Sequence, residues 1–247
     1  MTLDLHEHGL EAVLVDIEGT TTPLAFVHET LFPFARRALE PFIRESFGRP
    51  EMADLFHSLR IDWREDVQRG DSPPEWPEVA NREKHIASIV GYAEWQMERD
   101  RKAFGLKTLQ GLIWERGYRD GLLQGTMFPD VPAAFARWRA AGITIAIFSS
   151  GSVLAQQLLF RSTPSGDLTS HIAAFFDTSV GPKREPDSYR RIAVALGIPI
   201  ARVLFISDAP VELAAARAAG CTALLCARPG NPPTSDPQVI HDFGEVV

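Results

Sequence analysis

Two acidic residues directly follow an apolar run near the start of the chain. Asp16 and Glu18 come after residues 12–15, and Gly19 and three threonines follow them. Alternate residues of a strand point to the same side, so both carboxylates can face one way. Adjacent carboxylates repel each other unless a cation or a shared proton relieves them, and a glycine turn with threonine donors suits an anion. The pattern predicts a metal-assisted phosphate site, although the two acids could instead simply end a strand and cap the next segment.

Hydroxyl and basic residues that could contact a phosphate occur at two later positions. Ser149 and Ser150 follow the apolar run 143–148 and precede a helical segment, whose N-terminus could bind phosphate. Lys183 lies in a loop before another helix, where its ammonium would neutralise phosphoryl charge if it reaches the same pocket. Serine caps and solvated loop lysines are common, so neither signal decides the function by itself.

A third acid, Asp208, comes after the apolar run 203–206 and Ser207. Magnesium prefers oxygen ligands and keeps several waters, so a further carboxylate at a strand end suits it. Glu212, on the helix that follows, is expected to support this site or to form a salt bridge. Carboxylate, hydroxyl, lysine and carboxylate thus occur in order after successive predicted strands, which capping alone does not explain.

The elements that must position these residues alternate from residue 128 onward. Short apolar strands and amphipathic helices follow one another, which predicts an α/β fold with a doubly wound parallel sheet. Such sheets bind ligands at the carboxyl ends of their strands. Residues 23–127 show helical spacing and no strand of comparable strength. We therefore predict a catalytic core from residues 1–22 and 128–247 and a helical insertion at 23–127.

Composition excludes several functional classes. The 247 residues carry 32 acidic and 25 basic side chains, a net charge of −7, which argues against nucleic-acid binding. No apolar run approaches the ~18 residues of a membrane span, and the first eight residues do not resemble a signal peptide. Cys221 and Cys226 are expected to be buried thiols in a reducing compartment. We predict a cytoplasmic protein with a small phosphate ester as substrate, and we expect a monomer.

The chain resembles the haloacid dehalogenase superfamily of phosphohydrolases at four motifs: Asp16-Ile17-Glu18-Gly19-Thr20, Ser149-Ser150-Gly151, Lys183 and Ser207-Asp208. Most phosphatases of the superfamily have aspartate where this chain has Glu18. That glutamate, with the segments 20–23, 106–114, 149–153 and 228–231, is similar to the acireductone synthase family, whose members combine enolase and phosphatase activities in methionine salvage. The similarity covers nearly the whole chain, and the run of residues 16–22 is specific to this family.

The resemblance implies that the helical insertion is a cap domain and that one Mg²⁺ is the cofactor. It implies 2,3-diketo-5-methylthiopentyl 1-phosphate as the substrate, which is enolised and then dephosphorylated to 1,2-dihydroxy-3-keto-5-methylthiopentene. The metal ligands would be Asp16, Asp208 and Glu18, the last through its backbone carbonyl. Asp16 would attack phosphorus to form an aspartyl-phosphate, and Ser149, Ser150 and Lys183 would hold the phosphoryl oxygens.

Some assignments remain open at this point. Glu18 is our candidate for proton transfer during enolisation, but a residue of the cap could be the base instead. Trp114 and Phe26 could line a pocket for the methylthio group, although aromatic residues on helices usually pack in cores. Another capped phosphohydrolase or phosphomutase would carry the same four motifs. A non-catalytic module that is phosphorylated on Asp16 is the alternative outside the enzymes.

Overall fold

The computed structural model describes residues 2–78, 81–233 and 236–247. Helical and extended segments alternate over the second half of the chain, as the sequence pattern predicts. In chain order the main elements are β1 (Ala12–Val15), α1 (Leu24–Phe26), α2 (Phe32–Ser46), α3 (Ala53–Arg69), α4 (Arg82–Glu98), α5 (Phe104–Arg119), α6 (Val131–Ala140), β2 (Thr144–Phe148), α7 (Val153–Arg161), β3 (Ala174–Phe176), α8 (Pro186–Leu196), β4 (Val203–Ser207), α9 (Pro210–Ala219), β5 (Thr222–Cys226) and β6 (Val239–Ile240).

The chain divides into two compact units. One comprises residues 1–30 and 123–247, and the other comprises residues 31–122. The sequence placed the insertion at 23–127, whereas residues 23–30, which include α1, and residues 123–127 belong to the first unit. Helical spacing, on which the predicted boundary rests, does not record in which unit a segment packs.

The first unit is built on a parallel sheet. Its strand order is β3-β2-β1-β4-β5-β6, and β1 pairs with β2 on one side and with β4 on the other. The chain therefore winds outward from β1 in one direction and then restarts on its other side at β4. The edge between the carboxyl ends of β1 and β4 is the topological switch point, where open α/β sheets bind ligands.

Continuous apolar runs form the central strands because both faces of a parallel sheet are covered by helices. All four residues of β1 and all five of β4 are buried. On one face, Tyr189 of α8 packs edge-on against Phe148 and Phe205, with ring centroids 5.6 and 5.0 Å away. Phe135 of α6 stacks on Phe160 of α7 at 6.0 Å among the remaining core aromatic residues. These aromatic residues pack the helices against the sheet.

The second unit consists of helices α2 to α5 packed on one another. Its interior contains a paired acid: Asp66, 2% exposed, accepts hydrogen bonds from Tyr92 Oη at 2.7 Å and from Arg101 Nη2 at 2.6 Å. Trp114 is buried within this unit and its indole N–H donates to Leu31 O at 2.9 Å. That bond gives Trp114 a structural role in the helical core, as aromatic residues on helices usually have.

The C-terminal segment contains an element that sequence patterning does not predict. Val239 and Ile240 pair in parallel with Leu225 and Cys226, which adds β6 to the edge of the sheet. Two residues are too few to show a periodic pattern. Cys221 and Cys226 are free and buried, as expected. No helix in the described part of the chain is long and apolar enough to cross a membrane.

Candidate functional site

Asp16 lies at the switch point, one residue beyond the end of β1. Its backbone N–H donates to Ile206 O at 3.0 Å, which continues the pairing with β4 past the last strand residue. Its side chain is 7% exposed, and Oδ1 accepts a hydrogen bond from the Ile17 N–H at 2.7 Å. The carboxylate is thus oriented by the backbone that carries it.

Lys183 contacts this carboxylate directly. Its Nζ lies 2.7 Å from Asp16 Oδ1 and 2.6 Å from Glu212 Oε2, and the side chain is 9% exposed. Burial by itself lowers the pKa of an ammonium, but the attraction of the two carboxylates outweighs it and holds the pKa of Lys183 above its usual value. Lys183 is therefore a permanent cation in the site, and Glu212 is the salt-bridge partner that the sequence predicted.

The loop that carries Lys183 is held by the first turn of α8. Tyr189 Oη donates to Lys183 O at 2.7 Å, and Ser188 Oγ donates to Pro182 O at 2.7 Å. Gly181 has φ of +137°, and a Cβ there would lie 2.3 Å from Ser188 Oγ. Only glycine fits this position, because a side chain would face both an unfavourable backbone conformation and a clash.

Ser207, the last residue of β4, links the two acids that flank Lys183. Its Oγ lies 3.0 Å from Asp16 Oδ2 and 3.1 Å from Glu212 Oε2, and it accepts a hydrogen bond from the Ala209 N–H. A hydroxyl has one proton, so it donates to one carboxylate at a time. Ser207 is fully buried, and sequence reasoning quoted it within a motif without assigning it a role.

Asp208 joins Asp16 at this edge of the sheet. Burial and, next, the negative charge of Asp16 raise the pKa of Asp208 to about 7. Burial and the same charge raise the pKa of Glu212 to about 7. With all three acids ionised, one ammonium leaves the cluster with two uncompensated negative charges. A divalent cation would neutralise them, so the charge of the cluster fits Mg²⁺.

Gly19 allows Asp208 to approach the turn after β1. It has φ of +68°, and a Cβ at this position would lie 2.2 Å from Asp208 Oδ2. Glu18 is half-buried in that turn, and its backbone forms an isolated β-bridge with Thr22. No three His, Cys, Asp or Glu side chains within residues 2–78, 81–233 and 236–247 are grouped to hold a metal. A magnesium ion at this edge of the sheet would therefore have at most two of these side chains as ligands.

The predicted phosphate contacts lie after β2, next to β1 in the sheet. Ser149 is 4% exposed, and its Oγ accepts from the Gly151 N–H at 3.3 Å, so its hydrogen remains available to donate. Ser150 is half-buried beside it. Two N–H groups at the start of α7 are already used, because Val153 donates to Asp177 and Ala155 donates to the Ser152 side chain. The loop of Ser149 and Ser150, more than the N-terminus of α7, thus offers hydrogen-bond donors to a phosphate.

Comparison with known proteins places this site in a family. Residues 10–220 match the model of haloacid dehalogenase-like hydrolases. The chain is 46% identical over 240 residues to Enolase-phosphatase E1 of Synechococcus elongatus, covering 96% of this chain and 98% of the relative. The chain belongs to the enolase-phosphatase family of haloacid dehalogenase-like hydrolases. The resemblance seen in the sequence is confirmed.

Other enolase-phosphatases and a solved structure agree. Enolase-phosphatase E1 of Drosophila persimilis is 43% identical over 252 residues, covering 97% of this chain and 96% of the relative. The crystal structure of UTR4 protein from Saccharomyces cerevisiae superposes with a TM-score of 0.75 at 30% identity, covering 95% of this chain and 98% of that one. The α/β fold with a parallel sheet is that of the family, as predicted.

Sequence reasoning assigned no definite role to two groups of residues near the enolase-phosphatase site. Ser207, which belongs to the fourth motif, contacts Asp16 and Glu212, and Glu212 also contacts Lys183. Arg228 and Asn231, in the loop after β5, contact the turn after Asp16. The sequence offered Arg228-Pro229-Gly230-Asn231 only as part of the family resemblance, because nothing local reveals what such residues contact.

Proposed function

We propose that this enolase-phosphatase converts 2,3-diketo-5-methylthiopentyl 1-phosphate to 1,2-dihydroxy-3-keto-5-methylthiopentene and phosphate, as a step of methionine salvage. The observation that carries the proposal is the contact of Asp16 with Lys183 at the switch point, beside Asp208. A carboxylate nucleophile needs a cation at the same place as the phosphoryl group, since two anions otherwise repel. The enolase activity rests on the family to which the chain belongs.

In the phosphatase step, Asp16 is the nucleophile. Its carboxylate oxygen attacks phosphorus in line, and the bond from phosphorus to the ester oxygen breaks, so that the enediol product leaves with that oxygen. Water then cleaves the aspartyl-phosphate to regenerate Asp16 and release phosphate. Lys183 has three N–H donors, of which Asp16 and Glu212 take two, so one can turn to a phosphoryl oxygen. Ser149 Oγ and the Ser150 N–H supply further donors on the side of β2.

Mg²⁺ would be held by Asp16, Asp208 and the Glu18 carbonyl, and when bound it supplies charge neutralisation for the phosphoryl group and for an enolate oxygen. The support for this set is the uncompensated charge of the acidic cluster and the close approach of Asp208 to Gly19. The chain's own contribution is to keep both carboxylates at the end of the sheet with Lys183 between Asp16 and Glu212.

Enolisation requires a base for the carbon next to a carbonyl. We propose Glu18, because its side chain starts two residues after Asp16 and reaches further than the aspartate usual in this superfamily. The proton removed from carbon passes to the Glu18 carboxylate, and the carbonyl oxygen becomes the enolate. We propose that the helical unit is the cap domain that the family resemblance implies.

Replacing Glu18 by Gln tests its role as the base. The substitution keeps size and backbone but removes the carboxylate, so we expect enolisation to fall by about a hundredfold or more. Dephosphorylation of a simple ester such as p-nitrophenyl phosphate should change much less, because a backbone carbonyl ligand survives. The comparison is made by following both reactions for the native chain and the variant. Full enolisation with loss of only phosphate release would exclude Glu18 as the base.

We further propose a cytoplasmic monomer whose partner is a small phosphate ester, without nucleic-acid or membrane partners. The acidic net charge and the two buried free thiols support this assignment. Sedimentation of the purified chain would test the oligomeric state.

The function itself is tested by incubating the native chain with the diketo phosphate and Mg²⁺. We expect enediol absorbance and free phosphate to rise together, and a chelator to stop both. Release of phosphate from many simple phosphomonoesters, without any absorbing product from the diketo phosphate, would instead indicate a general phosphatase. No phosphate from any ester would exclude the enzyme and favour a phosphorylated module.

A further inference from the structure

The loop after β5 donates two side-chain hydrogen bonds to the turn that follows Asp16. We propose that Arg228 and Asn231 are positioning residues for the magnesium site, which they serve by holding the carbonyls of Gly19 and Thr20. Neither side chain is among the four motifs. The inference rests on the magnesium site of the proposed function, and its test measures metal binding and not turnover.

Arg228 is buried, with 5% exposure, and its guanidinium is almost completely engaged. Nη1 and Nη2 each lie 2.8 Å from one oxygen of Asp130, which neutralises the charge in a two-pronged pair. Nη1 also donates to His241 O at 3.2 Å, and Nε donates to Thr20 O at 3.0 Å. Burial of an arginine is costly unless its donors are satisfied, so these hydrogen bonds fix the orientation of the Arg228 guanidinium.

Two aromatic rings enclose the same guanidinium. Its central carbon lies 4.4 Å from the centroid of the Phe128 ring and 4.7 Å from that of Phe243. The Phe128 N–H in turn donates to Thr21 O at 2.9 Å. Arg228 is therefore held by contacts with both rings and along the edge of its guanidinium. The turn after β1 is tied to a rigid anchor, which is what a positioning residue requires.

Asn231 holds the adjacent carbonyl. Its Nδ2 donates to Gly19 O at 2.8 Å and to Cys226 O at 3.1 Å, so it joins the turn to the end of β5. The Asn231 N–H donates to Arg228 O at 3.1 Å, which closes the loop into one unit with Arg228. Two successive carbonyls of the turn are thus fixed by two residues of a single loop.

The turn needs this support because of the groups that surround it. Asn231 and Asp208 both lie close to Gly19, since a Cβ there would lie 3.0 Å from Asn231 Oδ1 and 2.2 Å from Asp208 Oδ2. Asp208 and Asp16 repel each other, and that repulsion tends to open the site. Groups that orient metal ligands commonly matter for affinity as much as the ligands do.

Asn231→Ala and Arg228→Lys test the proposal without removing a ligand. Arg228→Lys keeps the charge but loses the two-pronged pair and the Nε donor. The matched control is Arg217→Lys, because Arg217 makes the same kind of contacts near β5: two with Asp236 and one to Ala223 O at 2.9 Å. None of these three contacts involves the turn after Asp16.

Mg²⁺ affinity is measured by isothermal titration calorimetry without substrate, and thermal unfolding of the metal-free protein is measured alongside. We expect both test variants to raise the Kd for Mg²⁺ about tenfold, with Arg217→Lys leaving it unchanged. The unfolding temperature of Asn231→Ala should fall no further than that of Arg217→Lys, which separates positioning from simple stabilisation.

Native Mg²⁺ affinity in both test variants would overturn the proposal, as would the absence of Mg²⁺ binding by the native chain. A native chain that binds Mg²⁺ but forms no enediol product would overturn the proposed function alone. In that case the affinity measurements on the variants still decide the role of Arg228 and Asn231.

Discussion

Asp16→Asn is expected to abolish phosphate release, with a loss on the order of 10⁴-fold or more in kcat. The amide cannot attack phosphorus, so the aspartyl-phosphate cannot form. The measurement is steady-state release of phosphate from the diketo phosphate with saturating Mg²⁺. Because enolisation does not use Asp16 as a nucleophile, the enolised phosphate should accumulate and be detectable by phosphorus NMR.

The control for this variant is Asp187→Asn, at the start of α8. Asp187 is an exposed acid that pairs with Arg190 at 2.5 Å, so the same chemical change there should leave turnover unchanged. If Asp16→Asn retained a substantial part of the native rate, the nucleophile would have to be another group. If it released no phosphate and also formed no enolised phosphate, the two steps would not be separable at Asp16.

Lys183→Met should impair both phosphate release and folding. Loss of the ammonium removes a contact to the phosphoryl group, which typically lowers kcat by a factor of about 10² to 10³. It also leaves Asp16 and Glu212 buried without their cation, and breaking a buried ion pair in this way costs about 3–5 kcal/mol. The free energy of unfolding of the metal-free protein, measured in urea, should fall by an amount of this order at pH 8.

The stability deficit of Lys183→Met should depend on pH. Without the ammonium, the folded-state pKa of Glu212, already raised to about 7 by burial and the charge of Asp16, can only rise further. An acid with a raised folded-state pKa binds more protons folded than unfolded, so stability falls as pH rises from its ordinary pKa toward the folded-state pKa. The deficit should therefore be small near pH 5 and largest above pH 7.

Lys102→Met is the matched control for the folding measurement. Lys102 pairs with Asp100 at 2.6 Å on the surface of the helical unit, where both side chains are largely exposed. Solvent screens such a pair, and its loss should cost less than about 1 kcal/mol with little pH dependence. An equal and pH-independent effect of the two substitutions would show that Lys183 does not neutralise buried acids.

The sequence by itself determined the fold class and the residues of the motifs. Strands buried on both faces must be continuously apolar, so β1, β2, β4 and β5 were visible as short runs of apolar residues. Acids and serines directly after such runs must lie at the carboxyl edge of a parallel sheet. Asp16, Ser149 and Asp208 were therefore predicted from their positions alone to lie at one edge of the sheet.

Strand order was decided only by the tertiary structure. Which strands lie beside β1 depends on how helices pack over the sheet, and no local pattern records that choice. The pairing of β1 with both β2 and β4 makes the end of β1 the switch point, and it places Ser207 within 3.0 Å of Asp16 although they are 191 residues apart. The salt bridges of Lys183 with Asp16 and Glu212 follow from the same arrangement.

Asp130 shows most clearly which contacts a local sequence pattern cannot predict. An aspartate directly before a helix is typical of an N-cap, but the Asp130 side chain makes no cap hydrogen bond to α6 and instead pairs with Arg228, which is 98 residues away. A cap is a local contact that spacing can reveal, whereas a buried charge takes the partner that packing brings to it. The acids at the strand ends were determined by the sequence, and the contacts that orient them were decided by the packing of distant segments.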